Sequence, residues 1–311
     1  MSTTLKSSRS VSNSSRPAPL VRGERQRHFQ HGVNIPIAFW LGLVHAGALA
    51  APFTFTWAGL WTMLLFYWLT AGIGICLGFH RLISHRSFHT PRWLYLTIAF
   101  IGGLAGEGSA LYWGANHRKH HACSDHEGDP HSPREGFWWS HTLWCLERML
   151  PQEREDHMRR WAPDLMEDPA LRFLDRHYLV WHLLLGFGMF GVGYQYGGAA
   201  LGWSLVVWGM FLRMAIVLQV TWCINSVTHV WGYKTYDNDD DSRNLWWVAL
   251  VTFGEGWHNN HHTYPRVANY GHRWWEFDMT YVTIRFLSAV GLVWGIAKLK
   301  PEMAAKRIKT T

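Results

Sequence analysis

Charged residues are absent from two long stretches of this chain. No Asp, Glu, Lys or Arg occurs from His28 through His80, or from His177 through Leu212. Because a membrane-crossing helix needs about 20 mostly apolar residues, the first stretch can hold two crossings, at residues 35–52 and 57–79. The second stretch holds a third crossing and begins a fourth, at residues 178–194 and 201–224. The pattern predicts an all-α integral membrane protein with four transmembrane helices in two hairpins and a polar remainder in water.

Histidines are concentrated in that polar remainder. Residues 80–85 read H-R-L-I-S-H, residues 117–121 read H-R-K-H-H, and residues 258–262 read H-N-N-H-H. The spacing i, i+3, i+4 puts three imidazoles within an arc of about 100° on a helix, so each of the last two clusters can converge on one side. His80 and His85 are about 140° apart on an ideal helix, so either the helix ends or distorts there, or they serve different metals. Asn225 and His229 share a helix face at i, i+4 spacing.

This set of side chains has the chemistry of a metal centre. Imidazole suits iron, zinc and copper, and one octahedral metal with an open position needs four or five ligands. Nine clustered histidines and Asn225 are too many for one metal and fit two. Two irons can share the electrons that reduce dioxygen, which redox-inert zinc cannot supply. Lone histidines in apolar stretches, such as His45 and His182, are interpreted as packing residues.

The three clusters can form one site only if they lie on the same side of the membrane. The apolar segment 93–112 separates the first two clusters along the chain. A single crossing there would put those clusters on opposite faces, so we interpret the segment as a helix buried in protein or lying at the interface. The far-side turns, near residues 51–56 and 194–200, contain no Lys or Arg, whereas the cluster side carries Lys6, Arg9, Arg81, Arg118 and Lys119. The positive-inside rule therefore predicts a cytoplasmic metal site.

Composition argues against several other classes of protein. The net charge of +7 is not arranged in a nucleic-acid-binding motif, and it fits a membrane face or an anionic substrate. The four cysteines form no CxxC pair, which indicates reduced thiols and no disulfide framework. Residues 1–34 lack the apolar core of a signal peptide and are interpreted as a disordered cytoplasmic tail, with a transit peptide as the alternative. The membrane domain is placed at residues 35–300, followed by a C-terminal tail at 301–311.

Five runs of the sequence carry a family resemblance. They are G-F-H-R-L-I-S-H-R-S-F (78–88), W-G-A-N-H-R-K-H-H (113–121), D-P-H-S-P-R-E-G-F-W-W-S-H (129–141), N-S-V-T-H (225–229) and G-E-G-W-H-N-N-H-H (254–262). From about residue 35 to 299 the chain resembles the membrane fatty-acyl desaturases of the delta-9, stearoyl-CoA type. The resemblance implies four transmembrane helices beneath a helical cytosolic cap that holds two iron ions. The implied ligands are His80, His85, His117, His120, His121, His229, His258, His261 and His262, with Asn225 bound through water.

The resemblance also assigns residues to a bend in a substrate tunnel. Trp113 and Thr221 match family positions, and Glu107 stands where the family often has Gln. Trp113 precedes His117 by one helical turn, and this spacing by itself predicts a place near the metals. Arg213 lies inside the fourth predicted crossing, where an ionisable side chain indicates function. It either pairs with Glu107 or extends toward the membrane interface.

Other charged residues are given plainer roles. Asp129 and Glu255, beside the clusters, are predicted to accept hydrogen bonds from histidine N–H groups. The acidic run at residues 237–241 is predicted to be a solvated turn, because it lacks the pattern of a calcium-binding loop. Arg81 and the basic residues near it either attract a substrate phosphate or satisfy the positive-inside bias.

The resemblance implies a fatty-acyl desaturase that inserts a cis double bond, at the delta-9 position, into a saturated acyl chain. The reaction would use dioxygen and two electrons from a separate donor such as ferredoxin or cytochrome b5, since the sequence has no flavin or nucleotide fingerprint. The substrate is an acyl-CoA or an acyl-lipid. The expected location is a bacterial inner membrane, with the ER or a plastid membrane as alternatives.

Two other functions stay open on the sequence alone. One is a membrane di-iron hydroxylase or ketolase acting on fatty acids or lipids, since related histidine clusters serve both outcomes. The other, from a different class, is a non-catalytic metal-binding or electron-relay membrane protein.

Overall fold

The architecture is helical throughout the part of the chain that the structure describes. A computed structural model describes residues 28–308, and no β-strand forms within that range. The α-helices are α1 (Ile35–Ala48), α2 (Trp57–Tyr67), α3 (Arg92–Gly103), α4 (Ala110–Cys123), α5 (Phe137–His141), α6 (Pro151–Trp161), α7 (Pro163–Met166), α8 (Pro169–Arg176), α9 (Tyr178–Val206), α10 (Arg213–Ser226), α11 (Trp246–Val251), α12 (His258–Thr263), α13 (Met279–Ala289) and α14 (Pro301–Ala304). Two π-helical segments extend α2 through Trp68–Ser84 and join α9 to α10 through Val207–Leu212. Short 3₁₀ turns occupy Ala51–Thr54, Pro133–Glu135, Leu143–Leu146 and Val227–His229.

Within residues 28–308, two helical segments, Trp57–Ser84 and Tyr178–His229, are long and apolar enough to cross a membrane. The second segment bends at Gly197 and Gly198, and Gly198 has a φ of +69° that favours glycine. Its two arms pack so closely that a Cβ on Gly193 would lie 2.6 Å from the Cα of Gly202. The second predicted hairpin is therefore present, and its turn falls between residues 194 and 200, as expected.

Helix α1 is shorter than the predicted first crossing. It ends at Ala48, because the chain then turns into the 3₁₀ segment that contains Pro52. Its 14 residues rise about 21 Å, which is less than the roughly 30 Å of a bilayer core. The helix packs against α10 and the π-helical segment before it. The count of four crossings thus stays a prediction.

The apolar segment 93–112 forms two short elements in place of one long helix. Helix α3 ends at Gly103 after 12 residues, a rise of about 18 Å. A turn with positive φ at Gly106 and Gly108 then leads into α4. Helix α3 lies along the π-helical end of α2, where a Cβ on Gly74 would lie 2.5 Å from the Cα of Gly102. This segment is too short to cross a bilayer, in agreement with its predicted place.

The helices outside the predicted crossings pack against one another, and residues 85–177 and 230–308 are here called the cap. Helix α4 packs against the π-helical end of α2 and against α6 and α8, and α13 packs on the same π-helical end. An apolar core with Phe79, Leu111 and Ile284 joins these elements. The predicted tails lie mostly outside the described residues, but residues 28–34 and 301–308 hydrogen-bond to the cap. The cap core therefore fixes the two helices that carry the first two histidine clusters.

The glycine contact between α3 and α2 gives the first prediction. Gly102→Ala places a methyl group against the Phe79 ring and the carbonyl oxygen of Gly74. This overpacking should destabilise the protein by about 1–3 kcal/mol. Gly103→Ala is the matched control, because no atom lies within 4 Å of a Cβ at that position. Thermal unfolding in detergent should show a lower midpoint for the first variant only; equal midpoints would contradict the packing described.

Candidate metal centre

Nine histidine side chains converge in two adjacent groups. In each group the potential ligand atoms lie within 4.8 Å of one another. The Nε2 atoms of neighbouring rings face each other at 2.7–3.3 Å. The first group contains His80, His85, His117, His121 and His261, and the second contains His120, His229, His258 and His262. The structure therefore brings together all nine histidines that the sequence singled out and divides them five and four.

The histidines of α4 and α12 are divided between the two groups in a complementary way. On α4, His117 and His121 are four residues apart and belong to the first group, whereas His120 belongs to the second. On α12 the arrangement is reversed, because the i, i+4 pair belongs to the second group and His261 to the first. Each i, i+4 pair thus serves one group, and the residue between them reaches across to the other.

His80 and His85 meet in the first group because the helix that carries them widens. The last hydrogen bond of the π-helical segment runs from the His85 N–H to the carbonyl oxygen of His80, five residues back, at 3.1 Å. The two imidazole rings lie 4.9 Å apart between centroids. The expected distortion of the helix is present, and the two residues do not separate into different groups.

Carboxylates stand behind four of the imidazoles and accept hydrogen bonds from Nδ1. The pairs are His80–Glu255 at 2.5 Å, His120–Asp129 at 2.9 Å, His229–Asp125 at 2.8 Å and His262–Asp240 at 2.7 Å. A proton held on Nδ1 leaves the Nε2 lone pair free to bind a metal. The predicted roles of Asp129 and Glu255 are confirmed, whereas those of Asp125 and Asp240 were not foreseen from the sequence. The prediction of a solvated acidic turn is wrong for Asp240, whose side chain is 12% exposed.

Burial sets the protonation of these groups. It lowers the pKa of His117, His121 and His261 well below the usual value for histidine, and neighbouring histidines lower it further. Burial alone would raise the pKa of Asp240, but the His262 ring beside it keeps that pKa below its usual range. At neutral pH these three imidazoles are neutral and the Asp240 carboxylate is charged, which is the state that favours binding of a divalent cation.

Arg81 has a different role from either predicted one. Its guanidinium is completely buried and donates to Glu255 at 3.1 Å and to Asp278 at 2.8 Å. It also lies over the Tyr270 ring, which contacts the ring of His261 at 4.3 Å between centroids. A buried arginine that bridges two acids neutralises charge beside the histidines, so it attracts no substrate phosphate.

A cavity of about 330 Å³ lies beside the first histidine group. Its wall includes His117 and Asn225, and apolar residues such as Leu41 and Leu218. The indole of Trp113 also lines it and stacks on the His117 ring, with centroids 4.8 Å apart. The cavity therefore places an apolar space next to the first histidine group, while the water-mediated role of Asn225 stays a prediction.

The three residues assigned to the tunnel bend are hydrogen-bonded to one another in the wall of this cavity. The Glu107 carboxylate accepts from the indole N–H of Trp113 at 2.9 Å and from the hydroxyl of Thr221 at 2.7 Å. Loss of hydration raises the pKa of Glu107 to about 7, although both hydrogen bonds lower it. Glu107 is thus the link that fixes the other two side chains.

Arg213 neither pairs with Glu107 nor extends to the interface, so both predicted alternatives are wrong. Its side chain is completely buried. It donates to the carbonyl oxygen of Leu104 at 2.6 Å and to that of Gly209 at 3.1 Å. A longer contact of 3.4 Å reaches the hydroxyl of Thr70. The hydrogen-bond partners of the guanidinium are therefore mainly backbone carbonyl groups within the protein.

Comparison with known proteins agrees with this geometry. A family model described as fatty acid desaturase matches residues 55–285. The sn-2 palmitoyl-lipid 9-desaturase of Nostoc sp. (strain 36) is 43% identical over 277 residues, which cover 87% of this chain and 94% of that protein. The sn-1 stearoyl-lipid 9-desaturase of Anabaena variabilis is 45% identical over 256 residues, covering 82% and 90%. The delta-9 acyl-lipid desaturase 2 of Arabidopsis thaliana is 40% identical over 265 residues, covering 85% and 83%. The chain therefore belongs to the fatty acid desaturase family and is an oxidoreductase with the function of a desaturase.

Proposed function

We propose that this desaturase binds two iron ions, one in each histidine group, and forms a cis double bond at C9 of an acyl chain in a membrane lipid. The observation that carries the proposal is the pair of imidazole groups beside an apolar cavity. The names of the relatives support the lipid substrate and the position, since they are 9-desaturases of acyl lipids. The alternative substrate is an acyl-CoA or an acyl chain on acyl carrier protein.

The donor set fits two iron ions. Each group offers four or five imidazoles that face a common centre, and this suits a six-coordinate metal with a position left for another ligand. When bound, the irons would supply the redox chemistry that reduces dioxygen to water while two hydrogens leave adjacent methylenes. Two electrons and two protons must come from outside the acyl chain, and we assign the electrons to a separate carrier such as ferredoxin or cytochrome b5.

The protein's own residues bind and orient the acyl chain. Apolar side chains of the cavity exclude water, and Trp113 forms the wall next to His117. Glu107 holds Trp113 and Thr221 at fixed positions through its two hydrogen bonds. Because a displacement of about 1 Å can cost on the order of 100-fold in rate, this fixed wall would select which two methylenes react.

Lipid analysis of a heterologous host tests the reaction. Expression in a host without a 9-desaturase should add cis-9 unsaturated chains to its glycerolipids, because the substrate is already in the membrane. Mass spectrometry of the intact lipids and of derivatised fatty acids measures head group and double-bond position. Oxygenated chains would mean a hydroxylase or ketolase, and conversion of added acyl-CoA without conversion of glycerolipids would overturn the lipid assignment.

Metal content tests the two histidine groups. Protein purified without oxygen from iron-supplemented cells should hold two irons per chain. His121→Ala should lose iron and activity, and Asp240→Asn should lower iron affinity by about 10- to 100-fold, because His262 then loses the charged carboxylate that orients it and strengthens its Nδ1–H hydrogen bond. Asp237→Asn is the control, since Asp237 is an exposed acid in the same loop. Full activity with one iron per chain would refute the two-iron assignment.

Labelling of single cysteines tests the proposed topology, in which all three clusters face the cytoplasm. The four native cysteines are first replaced by serine or alanine. Cysteines at Phe53 and Tyr196, both in exposed positions of the far-side turns, should react with an impermeant thiol reagent in intact cells. A cysteine at Asp237 in the cap should react only after lysis. The reverse pattern would overturn the orientation.

A further inference from the structure

The turn between α3 and α4, residues 104–109, forms part of the cavity wall and carries Glu107. Within it Gly106 and Gly108 have φ values of +98° and +99°. Such a backbone is not held by regular helical hydrogen bonds, and glycine gives it access to many other conformations. Its shape therefore depends on contacts from neighbouring helices.

Those contacts come mainly from the hairpin formed by α9 and α10. The Arg213 guanidinium donates to the carbonyl oxygen of Leu104, at the start of the turn, at 2.6 Å. The Gly108 N–H donates to the hydroxyl of Tyr178 at 3.1 Å. A third contact, from the hydroxyl of Thr221, reaches the carboxylate in the middle of the turn at 2.7 Å. The hairpin thus hydrogen-bonds to the turn near both of its ends and to the Glu107 side chain.

Burying the Arg213 guanidinium to make one of these contacts carries an unfavourable desolvation free energy. It is completely buried, and one of its terminal nitrogens has no hydrogen-bond partner among the described residues. The oxygens that accept from it belong to backbone carbonyls and a hydroxyl. Removing an arginine from water is expensive, and an uncharged side chain would pack two apolar helices at lower cost. The hydrogen bond from Arg213 meets the chain at Leu104, three residues before Glu107, so it can affect the position of the Glu107 side chain.

We infer that Arg213 is a positioning residue for double-bond placement, acting through the 104–109 turn on Glu107 and so on Trp113 and Thr221. This inference rests on the proposed function. Without the bond to Leu104, the turn can relax and Glu107 no longer holds the cavity wall in one place. The acyl chain can then slide by about one methylene relative to the histidine groups, a displacement of about 1 Å.

The test measures isomer distribution in Arg213→Met and Arg213→Lys. Arg213→Met should keep two irons per chain, lower turnover by about 10-fold or more, and add neighbouring positional isomers to the product, as expected for a misplaced substrate. Arg213→Lys should restore most of the single isomer, because an ammonium group can still donate to the Leu104 carbonyl. Ser204→Ala is the control: Ser204 lies elsewhere in the same hairpin, and the change removes its partly buried 2.7 Å hydrogen bond to Thr56 and should leave the product unchanged.

Two further variants keep the inference testable if Arg213→Met fails to accumulate. Tyr178→Phe removes the acceptor of the Gly108 N–H and should broaden the isomers in the same direction. Glu107→Leu should do so as well, whereas Glu107→Gln, which can bond both partners, should keep one isomer. If folded, iron-loaded Arg213→Met keeps the wild-type rate and a single isomer, Arg213 has only a packing role. If Arg213→Met does not accumulate, the same result in Tyr178→Phe would contradict the inference, because the turn would then not control double-bond position. If the wild-type protein makes no cis-9 product, the proposed function itself fails.

Discussion

The pairing of buried imidazoles with buried carboxylates is the interaction on which the rest of the structure depends. An imidazole can present its Nε2 lone pair to a cation only if Nδ1 carries the proton, and that proton needs an acceptor where water is excluded. The acids that accept it hold distant segments together in turn. Asp125 accepts from His229, from the hydroxyl of Ser132 and from the backbone N–H of Asp241. One carboxylate thus joins the segment after α4, the 3₁₀ turn after α10 and the acidic loop, so the cap and the metal centre share one hydrogen-bond network.

The parts of the site that follow from local geometry could be predicted from the sequence. The i, i+3, i+4 spacing determines which histidines share a helix face, whatever the helix packs against. The five-and-four division could not be predicted, because it depends on how α4 and α12 face each other. Their contact brings the Nε2 atoms of His121 and His261, 140 residues apart in the chain, to 2.8 Å. The meeting of His80 and His85 required a distortion that was anticipated, but its π-helical form depends on the contacts of that segment with α3 and α13.

Charged residues whose partners are distant in sequence were the ones that sequence reasoning misjudged. Asp240 lies in a run of acids with the composition of a solvated turn, yet it supports His262 from 22 residues away. Arg81 has the sequence context of an interfacial cation, yet its acids lie 174 and 197 residues further along the chain. Arg213 donates to a backbone carbonyl, and because every residue has a backbone carbonyl, the sequence does not indicate which one is the partner. In each case the local sequence shows that the residue is charged but does not predict whether its side chain is buried, because burial depends on which segments the fold brings together.

Hydrogen bonding also explains how the cavity wall can accommodate Glu107 at a position where the family resemblance leads us to expect Gln. An ionised carboxylate only accepts, and its two oxygens meet two donors, the indole N–H of Trp113 and the hydroxyl of Thr221. With a pKa of about 7, raised by loss of hydration, the carboxyl is protonated in part near neutral pH. An indole N–H can only donate, whereas a hydroxyl can also accept. The proton must therefore reside on the oxygen that faces Thr221, and a Gln amide can satisfy the same pair by directing its NH₂ group there. The cavity wall can therefore keep one geometry with an ionised Glu, a protonated Glu or a Gln at position 107. The Thr221 hydroxyl donates in the first case and accepts in the other two, whereas the Trp113 N–H donates in all of them.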